Sequence, residues 1–528
     1  MLEKLPLLLL LSLTIMGCTN KDDSTVAETN CTDGTDNDGD GLTDCDDADC
    51  AATLACDNDT DTDTDTDTDT DTDTDINAPI NLSSAEARFL GEDENDRSGF
   101  ALAGVVDLNG DGYSDVAIGA YQHECESEEG TKLPEAGAAY VAFGASSGDV
   151  ELGDADITIC GTKESILLGR QVAMGQDITG DGKPELVVAA PQHKSGRVYI
   201  FSGPAAGKHE VTEDGVIELR GENSAYHFGH AIAMDGSSNE GNPLMLVGSD
   251  AFGDGSKANQ GKVYLFEGPL SGSVGSGDAI AEFTGEEGGD AAGRAVAFVD
   301  LDGDGNDEVA MSAWLAKGEA AQSGVIYVHS LANSNGNIDL ADADVRLGGS
   351  TSNGYTGHEI ANAGDFNNDG YEDLIVGAYG TSNEKGSAYI LLGKSEGLSS
   401  GNMTSADTRM DGDRAYDRAG NSVAGLGDIN GDGFGEVIVG AFGFDDGLAD
   451  RGAAYLIQGP YTGTVDLSNL AAKVIMGAGL KDQAGHAVRS GGDANQDGVP
   501  DILISAWAES TVDDEAGATY LLHGDPSW

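Results

Sequence analysis

From about residue 85 onward, short apolar runs alternate with polar, glycine-rich loops, and the alternation itself repeats. The runs VAIGA, LVVAA, VAMSA, LIVGA, VIVGA and ILISA are rich in β-branched residues and end in glycine or alanine. Runs of this length and composition read as buried strands. A strand such as GAAYVAFG, GRVYIFSG or GATYLLHG follows each. Ahead lie a strand of the type ARFLG, ITICG, IELRG, AEFTG, VRLGG, TRMDG or VIMGA, a polar loop, and a glycine at 99, 169, 229, 293, 357, 420 or 485. The unit has four strands, recurs seven times and spans roughly 63 residues, a period typical of repeat architectures. The first opening strand, ending at Gly91, precedes any complete unit, and the last unit ends at Gly517–Gly524 without its outer strand. The N-terminal strand is therefore expected to complete the C-terminal unit.

Between the first two strands of six units lies a nine-residue loop, D-x-[DNT]-x-D-G-x-x-[DE]. Its oxygen-bearing positions 1, 3, 5 and 9 are Asp107, Asn109, Asp111 and Asp115; Asp177, Thr179, Asp181 and Glu185; and Asp300, Asp302, Asp304 and Glu308. The other three sets are Asp365, Asn367, Asp369 and Asp373; Asp428, Asn430, Asp432 and Glu436; and Asp493, Asn495, Asp497 and Asp501. Four such side chains, a carbonyl at position 7 and a turn-forming glycine at position 6 suit Ca²⁺, which takes six to eight oxygens. These are not EF-hands, which need a twelve-residue loop between helices. Asn-Asp-Gly clusters are good turn formers by themselves, but turn chemistry explains neither the acid at position 9 nor the alternation before it. The third unit lacks the loop, since Asp235 runs into GSSNEGNPLM. Six Ca²⁺ sites in seven units is the expectation.

Over about residues 85–524 the unit resembles the FG-GAP repeat of integrin α-subunit propellers. The resemblance implies an all-β, seven-bladed β-propeller of four-stranded blades, closed by the N-terminal strand. It also implies calcium loops on one face and a protein or glycan ligand on the other. Thr179, a neutral ligand, and the third unit depart from the pattern.

The N-terminal region reads as three segments ahead of the propeller at 80–528. Residues 1–18 resemble a lipoprotein signal: Lys4, the run LPLLLLLSL, then Ile-Met-Gly-Cys. That implies cleavage before Cys18, its lipidation, and a cell-surface anchor in a Gram-negative outer membrane; an ordinary secretory signal is the alternative. Residues 19–56 carry Cys31, Cys45, Cys50 and Cys56 around Asp36, Asp38, Asp40 and Asp44. This resembles a single thrombospondin type 3 calcium module. Two disulfides of open connectivity are expected in an exported chain, with zinc the alternative. Residues 57–79 are dominated by alternating Asp and Thr, which self-repel and have nothing to bury, so they read as an extended stalk.

The 94 acids against 26 bases give a net charge of −68. The six loops hold 19 of those carboxylates as ligands and the Asp-Thr tract ten. Such a surface argues against nucleic acid and against docking on anionic lipid. Cys125 and Cys160 belong to the propeller, at strand ends on the face opposite the loops, where a disulfide is expected.

On that face the second strands end near Tyr121, Trp314, Tyr379, Phe442 and Trp507. Aromatic residues dominate recognition hot spots, although a position recurring by repeat symmetry reads equally as packing between blades. The insertion Gln122–Gly137 is the most individual loop there and the candidate specificity element. His230, His358 and His486 share the slot after the glycine that elsewhere holds Phe100, Arg170, Arg294 or Asn421, and read as structural. GASSG at Gly144–Gly148 matches a nucleophile-elbow motif by letters but lacks the following helix. No catalytic residues are assigned. The expectation is a non-enzymatic, calcium-binding recognition or adhesion protein; a calcium-dependent polysaccharide-active enzyme and a structural envelope protein are the alternatives.

Overall fold

The computed structural model describes residues 78–528, apart from 128, 145, 223–225, 238–240 and 254. The expectations for Cys18, for the module at 19–56 and for most of the stalk therefore lie outside the described residues. Seven sheets carry the propeller. In the first blade, Ala101–Val106 runs against Asp115–Ala120, then Ala138–Ala142, then Ile157–Cys160, all antiparallel. The second strand is the apolar run of the sequence, and all six of its residues are buried. It is covered on both sides, which is why its apolar residues are continuous rather than alternating.

Seven apolar clusters of described residues hold the ring together, one between each pair of neighbouring blades. Between the first two blades, for example, Ala117, Val141 and Ile159 pack against Val172, Leu186 and Val188. No blade has a core of its own, so each depends on its neighbours.

Ring closure is as expected. Ala87–Leu90 pairs antiparallel with the last strand, from Ala87↔Leu521 to Leu90↔Ala518. Phe89 is fully buried there, between the last blade and the first.

Each blade also has a fifth, outer strand that the sequence did not reveal. Gly207–Glu210, from the second repeat, pairs parallel with Ile157–Cys160 of the first blade. The same donation to the preceding blade recurs around the ring through Gly148–Glu151, Ser273–Gly275, Gly336–Asp339, Gly401–Asn402 and Gly463–Asp466. The N-terminus completes the series, because Ile80–Asn81 pairs with Ile475–Met476 of the sixth blade. Six of these strands run straight into a helical turn. Leu82, Leu152, Leu340, Met403 and Leu467 begin five of those turns and are buried, locking the outer strand onto the blade.

Candidate functional site

All six acidic loops join the first and second strands of their blades, so they share one end of the propeller. The position-9 acid is in each case the first residue of the second strand and is buried: Asp115, Glu185, Glu308, Asp373, Glu436 and Asp501. Its carboxylate reaches back to accept the amide N–H of position 2, at 2.8 Å from Leu108, Phe366, Ile429 and Ala494, 2.9 Å from Ile178 and 3.0 Å from Leu301. Those position-2 side chains are buried apolar plugs, so the loop is pinned to the core at both ends.

The position-1 carboxylate organises the rest. Asp107 accepts N–H bonds from Gly110 and Gly112 at 2.7 Å each and from Asp111 at 3.0 Å. The bond from the position-6 glycine recurs in all six loops, between 2.6 and 3.0 Å. That glycine sits at φ between +85° and +95° throughout, where a side chain is strained. Thr179 spends its hydroxyl proton on Glu185 at 2.7 Å, leaving oxygen lone pairs for a cation.

The donor set is hard oxygen only. Carboxylate oxygens of Asp177, Asp181 and Glu185 converge within 4.8 Å of one another, as do those of Asp300, Asp302 and Asp304. These residues fit a calcium ion and offer nothing soft to select a transition metal. In the metal-free loop, burial and then the nearby Asp302 carboxylate push the Glu308 carboxyl up to about 7. Burial likewise raises Asp373 and Glu436 to about 7 and Asp115 to about 6, with Glu185 and Asp501 shifted the same way. A bound dication reverses this electrostatic balance. In the third blade the first two strands, Ile232–Ser237 and Pro243–Ser249, pair antiparallel.

Three stretches, 98–141, 168–201 and 356–391, match the family model described as the FG-GAP repeat, each running from the ring glycine through the loop to the third strand. Three of the seven units are thus FG-GAP repeats. Rat phosphatidylinositol-glycan-specific phospholipase D is 28% identical over 204 residues, 36% of this chain and 24% of that protein. Human integrin alpha-7 is 31% identical over 31% of this chain and 13% of its own length. Mouse integrin alpha-IIb is 33% identical over 33% and 17%, respectively. The chain thus spans under a quarter of the length of each of these relatives. Among solved structures, the WD40 domain of Toxoplasma gondii coronin overlays with a TM-score of 0.46 and 9% identity, covering 83% of this chain and 84% of that one.

The opposite end of the propeller is less uniform. The expected Cys125–Cys160 disulfide is formed, with a Cα separation of 5.9 Å. It ties the Gln122–Gly137 insertion, which carries its own short hairpin, to the outer part of the first blade. The aromatic candidates do not form an open rim. Tyr121 is buried against Phe100, with ring centroids 4.6 Å apart. Trp507 and Phe442 flank His486 at 5.1 and 5.7 Å, while Trp314 and Tyr379 flank His358 at 5.6 and 4.6 Å.

Those contacts expose what residue-by-residue reading missed. The slot residues Phe100, Arg170, His230, Arg294, His358, Asn421 and His486 all converge on a central cavity of about 500 Å³. One guanidinium, Arg294, donates to Nε2 of His358 at 2.6 Å and to Nε2 of His230. Arginine can only donate, so both imidazoles accept through Nε2 and carry their proton on Nδ1. His358 donates that N–H to the Asn421 carbonyl at 3.0 Å. Burial, reinforced by the arginines, pushes His230 and His486 down to about 3, so these rings are neutral. The signal was present as a column of seven equivalent positions, which becomes a circle once the ring closes.

Proposed function

We propose that this protein is an exported, calcium-stabilised recognition module, anchored to the cell surface through Cys18. Calcium binds the six loops and supplies the positive charge that three or four crowded carboxylates per loop require. The loops' own contribution is preorganisation, since the amide bonds to positions 1 and 9 hold the acids together before an ion arrives. The observation that carries the reading is the division of labour between the two ends of the ring. Near-identical loops occupy one end, and individual residues, including the disulfide-tied Gln122–Gly137 insertion, occupy the other. The partial likeness to integrin α chains favours a protein or glycan ligand on that second end. Among the described residues, no helix is long and apolar enough to cross a membrane.

The test is binding of the full chain, held in detergent micelles with calcium, to arrays of glycans and surface proteins, repeated in chelator. Saturable, chelator-sensitive binding is expected. Turnover of a spotted glycan would instead support the polysaccharide-active alternative. Silence from a folded, calcium-loaded protein would refute recognition and leave an envelope scaffold.

A further inference from the structure

In a chain of net charge −68, the central cavity is lined by cations. Its charged lining residues are Arg170, Arg294, Arg489 and Glu359. Glu359 is committed to Arg489, with Oε1 at 2.7 Å from Nη2. Among the described residues, neither Arg170 nor Arg294 has a carboxylate within ion-pair distance. The Arg170 guanidinium carbon sits over the Phe100 ring, 3.9 Å from its centroid. Arg294 is shared between two neutral imidazoles, and its Nε is buried without a hydrogen-bond partner. Nδ1 of His486, on the same ring of residues, is also buried and unpartnered.

Both are half-buried, and drawing a guanidinium partly out of water without a close carboxylate is unfavourable, more so for two that repel each other. Folded proteins normally neutralise such groups, and this sequence has acids in large excess with which to do so. Asp250 is the nearest exception, but it is hydrogen-bonded to His227 at 3.2 Å, sits 3.6 Å from His230, and is absent from the cavity wall. A metal on His227, His230 and Asp250 is disfavoured, because coordination through Nδ1 of His230 would place its Nε2–H against the Arg294 donor.

We propose that the cavity is a binding site for one compact oxyanion, the carboxylate or sulfate-type group of a small ligand, held between Arg170 and Arg294. The planar guanidinium fork matches such groups, and His486 supplies a further hydrogen-bonding atom. The volume admits a monosaccharide-sized body around the anion, with Phe100 as an apolar wall. The inference goes beyond recognition of a macromolecule by the rest of the face and stands or falls separately.

The experiment is calorimetric titration of the calcium-loaded full chain, in micelles at low salt, with galacturonate, sodium sulfate and neutral galactose. The same titrations follow on Arg170→Gln and Arg294→Gln, with melting temperatures recorded for every protein. Galacturonate, sulfate or both should bind, whereas galactose should not. Each variant should lose at least about tenfold in affinity. Which anion wins identifies a carboxylate or a tetrahedral source. Because Arg170→Gln removes a half-buried cation that Arg294 repels, its melting temperature without ligand should hold steady or rise. Equal binding of galactose and galacturonate, no binding of either anion, or affinity unchanged in both variants would overturn the proposal. So would variants that melt well below the wild type while the wild type shows no anion response, since the arginines would then be structural. Failure of the array experiment alone would leave this result untouched.

Discussion

Replacing Glu308 by glutamine should weaken the calcium-loaded protein and strengthen the calcium-free one. Glu308 closes the third acidic loop, is 9% exposed, and its carboxylate accepts the Leu301 amide at 3.0 Å. A glutamine oxygen can keep that bond while carrying no charge. In the metal-free fold, burial and the neighbouring Asp302 raise the Glu308 carboxyl from 4.5 to about 7. An acid whose folded value is raised binds its proton more tightly folded than unfolded, so stability falls as pH rises through that interval and is constant above it. At about 1.4 kcal/mol per pH unit, the ionised carboxylate destabilises the calcium-free fold by about 3 kcal/mol at pH 8. At pH 5 the penalty shrinks below about 1 kcal/mol. Urea unfolding of wild type and Glu308→Gln, in chelator at pH 8 and pH 5, isolates this carboxylate and its coupling to the neighbouring loop acids, because titrating groups elsewhere cancel in the difference. The variant should be the more stable by about 3 kcal/mol at pH 8, with most of the gap gone at pH 5. In millimolar calcium the order should invert, because the variant loses an ion ligand. A variant less stable than wild type in chelator at pH 8, or a gap independent of pH, would refute the reasoning.

Three further outcomes are expected. Phe89→Ala empties a fully buried site on the closing strand and should lower unfolding free energy by about 3–5 kcal/mol, read from denaturant curves. Gly182→Ala meets no neighbouring atom within 4 Å but sits at φ +87°; strain alone should destabilise by about 1–2 kcal/mol and weaken one calcium site of the set, seen by titration calorimetry. Reducing or replacing Cys125 and Cys160 releases a link across 35 residues and should lower stability by about 2–4 kcal/mol, measured by thermal melting with and without reductant.

The loops, the inner three strands and the closing strand were legible in sequence because each carries its own local signature. Apolar runs marked the strands, and the D-x-D-x-D-G spacing marked the turns. The outer strands were not legible. Segments such as GDVE, GKHE and GTVD are short, mostly exposed and without apolar periodicity, and their pairing is decided by a neighbouring blade. Only the buried leucine or methionine after most of them hinted at a recurring anchor. The ring of slot residues was hidden for a different reason. Arg294 meets His230 and His358 across 64 residues in each direction, so each looks like an isolated polar residue until the repeats are bent into a circle. Tyr121, Trp314, Tyr379, Phe442 and Trp507 pack around the slot residues rather than standing clear of them.

The clasp imposes an order on biosynthesis. Residues 80–90 are the first part of the propeller to leave the ribosome, yet their partners, Lys473–Met476 and Ala518–Leu522, are nearly the last. Early blades can stack as they emerge, but the first-made strands must wait with unsatisfied edges until some four hundred further residues have been added. Closure is thus the slowest and most non-local step of assembly. During that wait the strand-edge hazard of an open ring falls on Ile80–Leu90 and on the exposed edge of the newest blade. A chain lacking residues 80–90, with both partner strands made but unpaired, should accordingly be captured by a peptide corresponding to those residues, whereas the finished protein should ignore it.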